Sequence, residues 1–304
     1  MNVALHSRHS LDVISLCSGG GGLDLALDLA IPGARAAVMV EREAFAVAHL
    51  VAAMEAGLMA PAPVWSDVRT FDGRPWRGLV DGLIGGIPCQ PHSLAGRKRG
   101  SLDARDLWSS ARRIIAHARP WFVLIENVSG MLAAGADDIA GAERVWRDLR
   151  RLGFAVEIGL FRASEVDAPQ EGERIFILGL AEAGSEGSQG SEWRGSPRCR
   201  NGATASRSAA ELCAAPLVPE SLFPPRPFDF EGWRAVLDRA PELEPAVRVL
   251  ADGLGATRID WLRLLGNGVV PLQGAYAIRT LLARHAARGS ARAAELVPMM
   301  EAAE

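Results

Sequence analysis

Lysine is nearly missing from this 304-residue chain: Lys98 is the only one, so almost all of the 33 basic residues are arginine. Arginine's planar fork suits phosphates and base edges, although a genome rich in arginine codons yields the same bias. No charge sign dominates. With 36 acidic residues the net charge is −3 and the pI ≈ 6.1. That excludes a purely electrostatic nucleic-acid coat and leaves room for a local basic groove. Cysteine is scarce and irregularly spaced (Cys17, Cys89, Cys199, Cys213), which excludes a disulfide scaffold. With no CxxC and no clustered histidines, no metal site is expected. No apolar run reaches the roughly 18 residues of a membrane span. The N-terminus has no basic start followed by a long apolar stretch and a small-residue cleavage site, so a cytoplasmic protein without signal peptide or membrane association is expected. There is no internal repeat. What remains, 49% hydrophobic and 23% charged residues, is ordinary globular composition, long enough for one large or two modest domains.

From Leu11 to about Leu180 apolar strands alternate with helical stretches. Strands are expected at Asp12–Cys17, Ala36–Glu41, Gly82–Ile87, Trp121–Glu126, Val156–Phe161 and Arg174–Leu180. Helices are expected at Leu23–Ala30, Arg42–Ala56, Leu107–Ala118 and Ala140–Leu152. The strands are near-continuous hydrophobic runs. This is the signature of a parallel or mostly parallel sheet covered on both faces. Near Ala181 the composition changes to a Gly/Ser/Arg-rich stretch that reads as a long flexible loop. The proline-rich PLVPESLFPPRPFDF follows, and then a helix at about Glu231–Arg239. Patterning returns near Leu254, with helices at Trp261–Leu265 and Leu272–Ala287 separated by a GNGVVP turn. The Ala-rich tail after Arg288 reads as a frayed helix.

Several short stretches carry chemical potential. In DVISLCSGGGGLDLAL a strand runs into Ser18–Gly22 and a helix begins at about Leu23. Glycines let a ligand approach the backbone, and the helix N-terminus offers free N–H groups. Glu41 ends the second strand, where a nucleotide-binding sheet holds ribose hydroxyls. The loop matches neither GxGxxG spacing nor a phosphate-cradling GxxxxGK[ST]; together with Glu41 it points to a nucleoside cofactor. In GLIGGIPCQPHSLAGRKRG, Cys89 sits at a strand end between Pro88 and Gln90, upstream of Arg97, Lys98 and Arg99. Nearby positive charge favours a thiolate, though a lone cysteine is more often inert core. In RPWFVLIENVSGML, Glu126 and Asn127 end an apolar strand; a carboxyl there can have a raised pKa and donate a proton, or simply cap or face solvent. Gln170 and Arg174 bracket the next strand, and Asn267 lies in the GNG turn.

In combination and order, the Gly-rich loop, the acid, PCQ, ENV, Q-x-x-x-R and GNxVVP resemble the DNA cytosine-C5 methyltransferase family, of the stand-alone bacterial or phage type. The likeness covers about Leu11–Leu180 and Leu254–Ala287. It implies an α/β protein: a Rossmann-like S-adenosylmethionine-dependent methyltransferase sheet with a small target-recognition lobe. Residues 1–180 and 254–304 would form the catalytic, cofactor-binding domain, and residues 181–253 the recognition region. It further implies that Ser18, Gly19, Gly21, Gly22, Glu41, Asp67 and Asn267 hold S-adenosylmethionine, which leaves as S-adenosylhomocysteine. Cys89 would be the nucleophile at cytosine C6, Glu126 the partner of N3 and the amino group, and Arg174 the group that steadies base and loop. Gln90, Ser93, Arg97, Lys98, Arg99 and Gln170 would meet DNA, with Trp193, Arg194, Arg198 and Arg200 as further candidates for base reading. The target base would be flipped from duplex DNA, and any restriction endonuclease would be a separate chain. A monomer is expected.

Two positions depart from the family pattern. Cys17 stands where an aromatic contact to adenine is usual, and Gly172 where an arginine is usual. Two other readings accompany the first: a tRNA cytosine-C5 methyltransferase and a catalytically degenerate DNA-binding relative.

Overall fold

The computed structural model describes residues 11–88, 107–132, 140–181 and 268–301, with residues 231, 232, 234 and 238 between them. The uninterrupted apolar runs become the middle of a sheet. At its centre are β1 (Asp12–Leu16) and β4 (Gly82–Gly86), paired in parallel. Beyond β1 lie β2 (Arg35–Val40) and the two-residue β3 (Val64–Trp65); beyond β4 lies β5 (Phe122–Val128). All of these pairings are parallel. β7 (Arg174–Leu180) is antiparallel both to β5 and to the edge strand β6 (Ala155–Phe161). The order is β3-β2-β1-β4-β5-β7-β6. This is the mostly parallel, Rossmann-like α/β sheet that the sequence implies.

Alternate residues of each strand feed two cores, as the pleat requires. Ile14, Leu16, Val123, Ile125, Ile175 and Ile177 pack under α3 (Trp108–Ala118) and α4 (Gly141–Arg151), through Ile114, Ile115, Val145 and Leu149. Val13, Ile84, Phe122, Leu124, Phe176 and Leu178 pack on the other face under α1 (Gly22–Ala30) and α5 (Pro271–Ala287), through Ala26, Leu27, Ile278 and Leu281. Each such side chain, removed from water, contributes about 1.5–3 kcal/mol before entropy is counted. Distant in sequence, α5 thus lies on the same sheet face as α1.

The sequence reading differs from the structure by one or two residues at the ends of most elements, and three differences have a physical cause. α2 spans Ala44–Glu55, not Arg42–Ala56, because the N–H groups of Arg42 and Glu43 bond the Glu41 carboxylate and Glu43 is extended. β3 was not anticipated: two residues carry no readable period. The tail, as far as it is described, is a packed helix rather than a frayed one. α6 (Ala291–Glu301) buries Ala293, Leu296 and Met300 in the α1–α5 core and tolerates Pro298 inside its span. The expected loop after Ala181 and the Trp261–Leu265 helix lie outside the described residues; Glu231, Gly232, Arg234 and Asp238 are helical.

Strand order reverses between β1 and β4. Open α/β sheets bind ligands at such a point, outside the carboxyl ends of the strands. The glycine-rich turn after β1, Glu41 after β2, Pro88 after β4 and Glu126 near the end of β5 all reach this edge.

Candidate cofactor and active-site cleft

The turn after β1 is built for close approach. Cys17 (φ 53°) and Gly19 (φ 54°) both take left-handed backbone, and Gly21 (φ 77°) caps α1 in the same region. Gly22 opens the helix directly beneath the Val269 carbonyl; a Cβ there would lie 2.8 Å from that oxygen. No other residue allows this contact between the loop and the C-terminal segment. Below the turn, Ser15 Oγ donates to Asp24 Oδ2 (3.0 Å), and the Ser15 and Ser18 hydroxyls share a 2.9 Å hydrogen bond. Burial pushes the Asp24 carboxyl up to about 7, and its Oδ1 has no hydrogen-bond partner among the described residues.

Glu41 is fixed by backbone donors. Gly19 N–H reaches its Oε2 at 2.7 Å, and the N–H groups of Arg42 and Glu43 reach Oε1 at 2.7 and 2.8 Å. A carboxylate has about four lone-pair positions, so this one keeps capacity for about one ligand hydroxyl. Asp67 follows β3, and its Oδ1 accepts from Arg69 N–H at 2.9 Å. The turn it starts is stapled from α3: the Arg113 guanidinium donates to the carbonyls of Arg69 (2.9 Å), Phe71 (3.1 Å) and Val68 (3.3 Å).

In the same cleft, Glu126 is nearly enclosed and Arg174 Nε lies 3.1 Å from its Oε1. Burial raises the Glu126 carboxyl to about 7, against the opposing pull of the Arg174 charge. Such a carboxyl is populated in both protonation states near neutrality, as a proton donor requires. Asn127 turns away from Glu126 and donates from Nδ2 to the Ile87 carbonyl at 2.6 Å. It thereby holds the backbone two residues before Cys89.

These groups line one cleft of about 740 Å³, which is the size of an ordinary ligand pocket. Ser18, Gly19, Gly22, Glu41, Asp67 and Glu126 all contribute to its wall, and Gly21 lies in the same turn. Arg174 stands behind Glu126. Gln170 is exposed and is not part of the wall. Cys89, Gln90, Ser93, Arg97, Lys98, Arg99 and Asn267 lie outside the described residues, as do Trp193, Arg194, Arg198 and Arg200; Pro88 and Gly268, their neighbours, line the cleft. Cys17 also lines it, and burial pushes its thiol up to about 12, so it is not a thiolate. Sequence reasoning gave no roles to Ser15, Asp24, Arg113 or Gln273. Only Asn127, inside ENV, carried a local signal. Among the described residues no side-chain cluster suits a metal, and no helix is long and apolar enough to cross a membrane.

A glycine-lined approach, a backbone-held carboxylate and a second carboxyl of raised pKa share one cleft. Residues 11–194 match the family model of C-5 cytosine-specific DNA methylase. The chain belongs to this family. It is 32% identical over 184 residues to the Type II methyltransferase M.PspPI of Psychrobacter sp. (strain TA137), covering 59% of this chain and 41% of the relative. It is 33% identical over 174 residues to the Type II methyltransferase M.NgoPII of Neisseria gonorrhoeae, covering 56% of this chain and 48% of the relative. The matches thus span half or less of these relatives' length. A crystal structure of a Spodoptera frugiperda DNMT2 triple mutant aligns over 89% of this chain and 99% of its own, with TM-score 0.53 and 13% identity. That likeness establishes the shared fold.

Proposed function

We propose that this methylase transfers a methyl group from S-adenosylmethionine to C5 of a cytosine flipped out of duplex DNA, at a specific sequence, through a covalent cysteine–C6 adduct. The observation that carries the reading is the cleft lined by the Gly-rich turn, Glu41 and Glu126, the last of these paired with Arg174. The wall suits S-adenosylmethionine: no described residue apart from its chain neighbours stands within 4 Å of the Cβ position of Gly19, which lines the cleft, so a ligand can approach the backbone there, and Glu41 keeps a lone pair for a ribose hydroxyl. Ser18, Gly19, Gly21, Gly22, Glu41 and Asp67 would hold it, with Asn267 closing over it. When bound, S-adenosylmethionine supplies the activated methyl group.

The protein's own residues prepare the base. Cytosine C5 is too weak a nucleophile until the Cys89 thiolate adds at C6, forming a sulfur–carbon bond and pushing the ring electrons toward N3. Glu126 donates its proton to N3 as that charge develops. Arg174 keeps the Glu126 carboxyl oriented and offsets the negative charge left on it. After the methyl group is on C5, loss of the C5 proton to a base restores the double bond and expels the thiolate, and the N3 proton returns to Glu126. These atoms are out of reach within stacked duplex, hence the flipped base. Arg97, Lys98 and Arg99 would contact phosphate, and Gln90, Ser93 and Gln170 would also meet DNA. Residues 181–253 are assigned to recognition in the major groove, and residues 1–180 and 254–304 to catalysis. The protein would act as a monomer in the cytoplasm, with any restriction endonuclease on a separate chain.

Expression in a host free of cytosine methylation, with 5-methylcytosine mapped at single-base resolution, tests this. A recurring methylated sequence, lost in Cys89→Ser, is expected. Unmethylated DNA from protein that binds S-adenosylmethionine would overturn the DNA-methylation reading.

A further inference from the structure

Gln273 has no place in the chemistry above, yet it is among the most enclosed polar side chains of the described residues, 1% exposed near the start of α5. Its Nε2 donates to two carbonyls from a distant part of the chain: Phe161 at the end of β6 (2.8 Å) and Gly172 (2.7 Å). Gly172 is two residues before Arg174 and takes left-handed backbone (φ +47°), with a Cβ position only 3.1 Å from the Ala163 methyl. The Glu171 carbonyl is held in turn by Ala163 N–H at 2.8 Å. The connection from β6 to β7 is therefore pinned at two successive carbonyls, just before the strand delivers Arg174 to Glu126.

We infer that Gln273 is a positioning residue for the Arg174–Glu126 pair: by gripping the Gly172 carbonyl from the C-terminal helix, it sets where the Arg174 guanidinium meets Glu126 Oε1. Gln273 is not among the residues that line the cleft, and its side-chain hydrogen bonds go to the Phe161 and Gly172 carbonyls rather than to Glu126. Both its amide protons are spent on carbonyls, a use that leucine cannot reproduce and that leaves those acceptors unpaired. The mechanistic consequence rests on the methyltransferase reading; the geometric one does not.

The test is the Glu126 titration, followed by carboxyl ¹³C NMR in the full-length protein, beside single-turnover methyl transfer and S-adenosylhomocysteine affinity. Among the described residues the charged group facing Glu126 is Arg174. Displacing it in Gln273→Leu should raise the Glu126 pKa by about one unit, slow methyl transfer by roughly 10- to 100-fold, and leave cofactor affinity within about twofold. Gly172→Ala strains the same turn and should shift Glu126 the same way, which decides the matter if Gln273→Leu does not fold. The double variant should shift it less than the sum of the two, since both act on one turn. An unchanged Glu126 titration in the folded variants overturns the inference, as does a fall in cofactor affinity that tracks the loss of rate. If the unaltered protein methylates no DNA, the functional reading fails while the Glu126 titration still decides the role of Gln273.

Discussion

Arg174 reaches Glu126 on a diagonal. In the antiparallel β5–β7 ladder Arg174 lies opposite Val128, and Glu126 lies opposite Phe176, so the 3.1 Å contact between Arg174 Nε and Glu126 Oε1 spans one pleat repeat. Diagonal neighbours on one face are within reach of long side chains. Had β7 been parallel to β5, position 174 would enter from the opposite end. The reversed strand is what brings a residue 48 positions downstream in sequence to this carboxyl.

Glu126→Gln keeps the shape and removes the transferable proton. Methyl transfer should fall by about 10²–10⁴-fold. In the unaltered protein the rate should decline as pH rises through about 7, where Glu126 loses its proton. A single-turnover pH profile from 6 to 9 checks both; a profile flat across pH 7 would remove Glu126 from the donor role.

Asp24 controls stability against pH. Its folded pKa of about 7 lies above the ordinary 3.8, so folding favours the protonated form. The stability is fully present below about pH 4, declines between 4 and 7, and stays reduced above. Asp24→Asn keeps an acceptor for Ser15 and carries no charge. It should stabilise the protein by about 1–3 kcal/mol at pH 8 and flatten this part of the dependence, measured by urea unfolding at pH 5 and 8. Equal pH dependence in both proteins would contradict the assignment.

Gly172→Arg is the substitution that the family pattern suggests, and the backbone opposes it. The left-handed φ and the nearby Ala163 methyl should make it destabilising by about 1–2 kcal/mol, with no gain in rate. A thermal unfolding comparison suffices; a more stable or more active variant would contradict the reported turn.

Glu41→Ala leaves three backbone N–H groups without their acceptor. S-adenosylhomocysteine affinity should fall by roughly tenfold or more, about 1.4 kcal/mol per factor of ten, measured calorimetrically. Arg113→Ala should weaken it less, because the guanidinium staples the Asp67 turn from outside the cleft. Reversal of that order would place the Asp67 turn, rather than Glu41, at the centre of cofactor binding.

Much of this was legible in the sequence because each feature is local. Buried parallel strands announce themselves as apolar runs, glycines mark the turn after β1, and Glu41 and Glu126 sit at strand ends where the sheet edge must be. The short β3 and the late start of α2 were not, since a two-residue strand has no period and the first N–H groups expected in α2 answer to a carboxylate. The packed α6 reads as a weak Ala-rich helix until the core that accepts Ala293, Leu296 and Met300 is in place.

Sequence alone determined six of the seven strands, the mostly parallel class of the sheet and the family motifs, because strand periodicity and short motifs depend only on neighbouring residues. Tertiary structure decided that Arg174 meets Glu126, that Asp24 is buried beneath the Gly-rich turn, that Arg113 staples the Asp67 turn, and that Gln273 grips Gly172 across 101 residues of chain. Desolvation and long-range hydrogen bonds exist only once separate segments exclude water together, and no local pattern of residues records them.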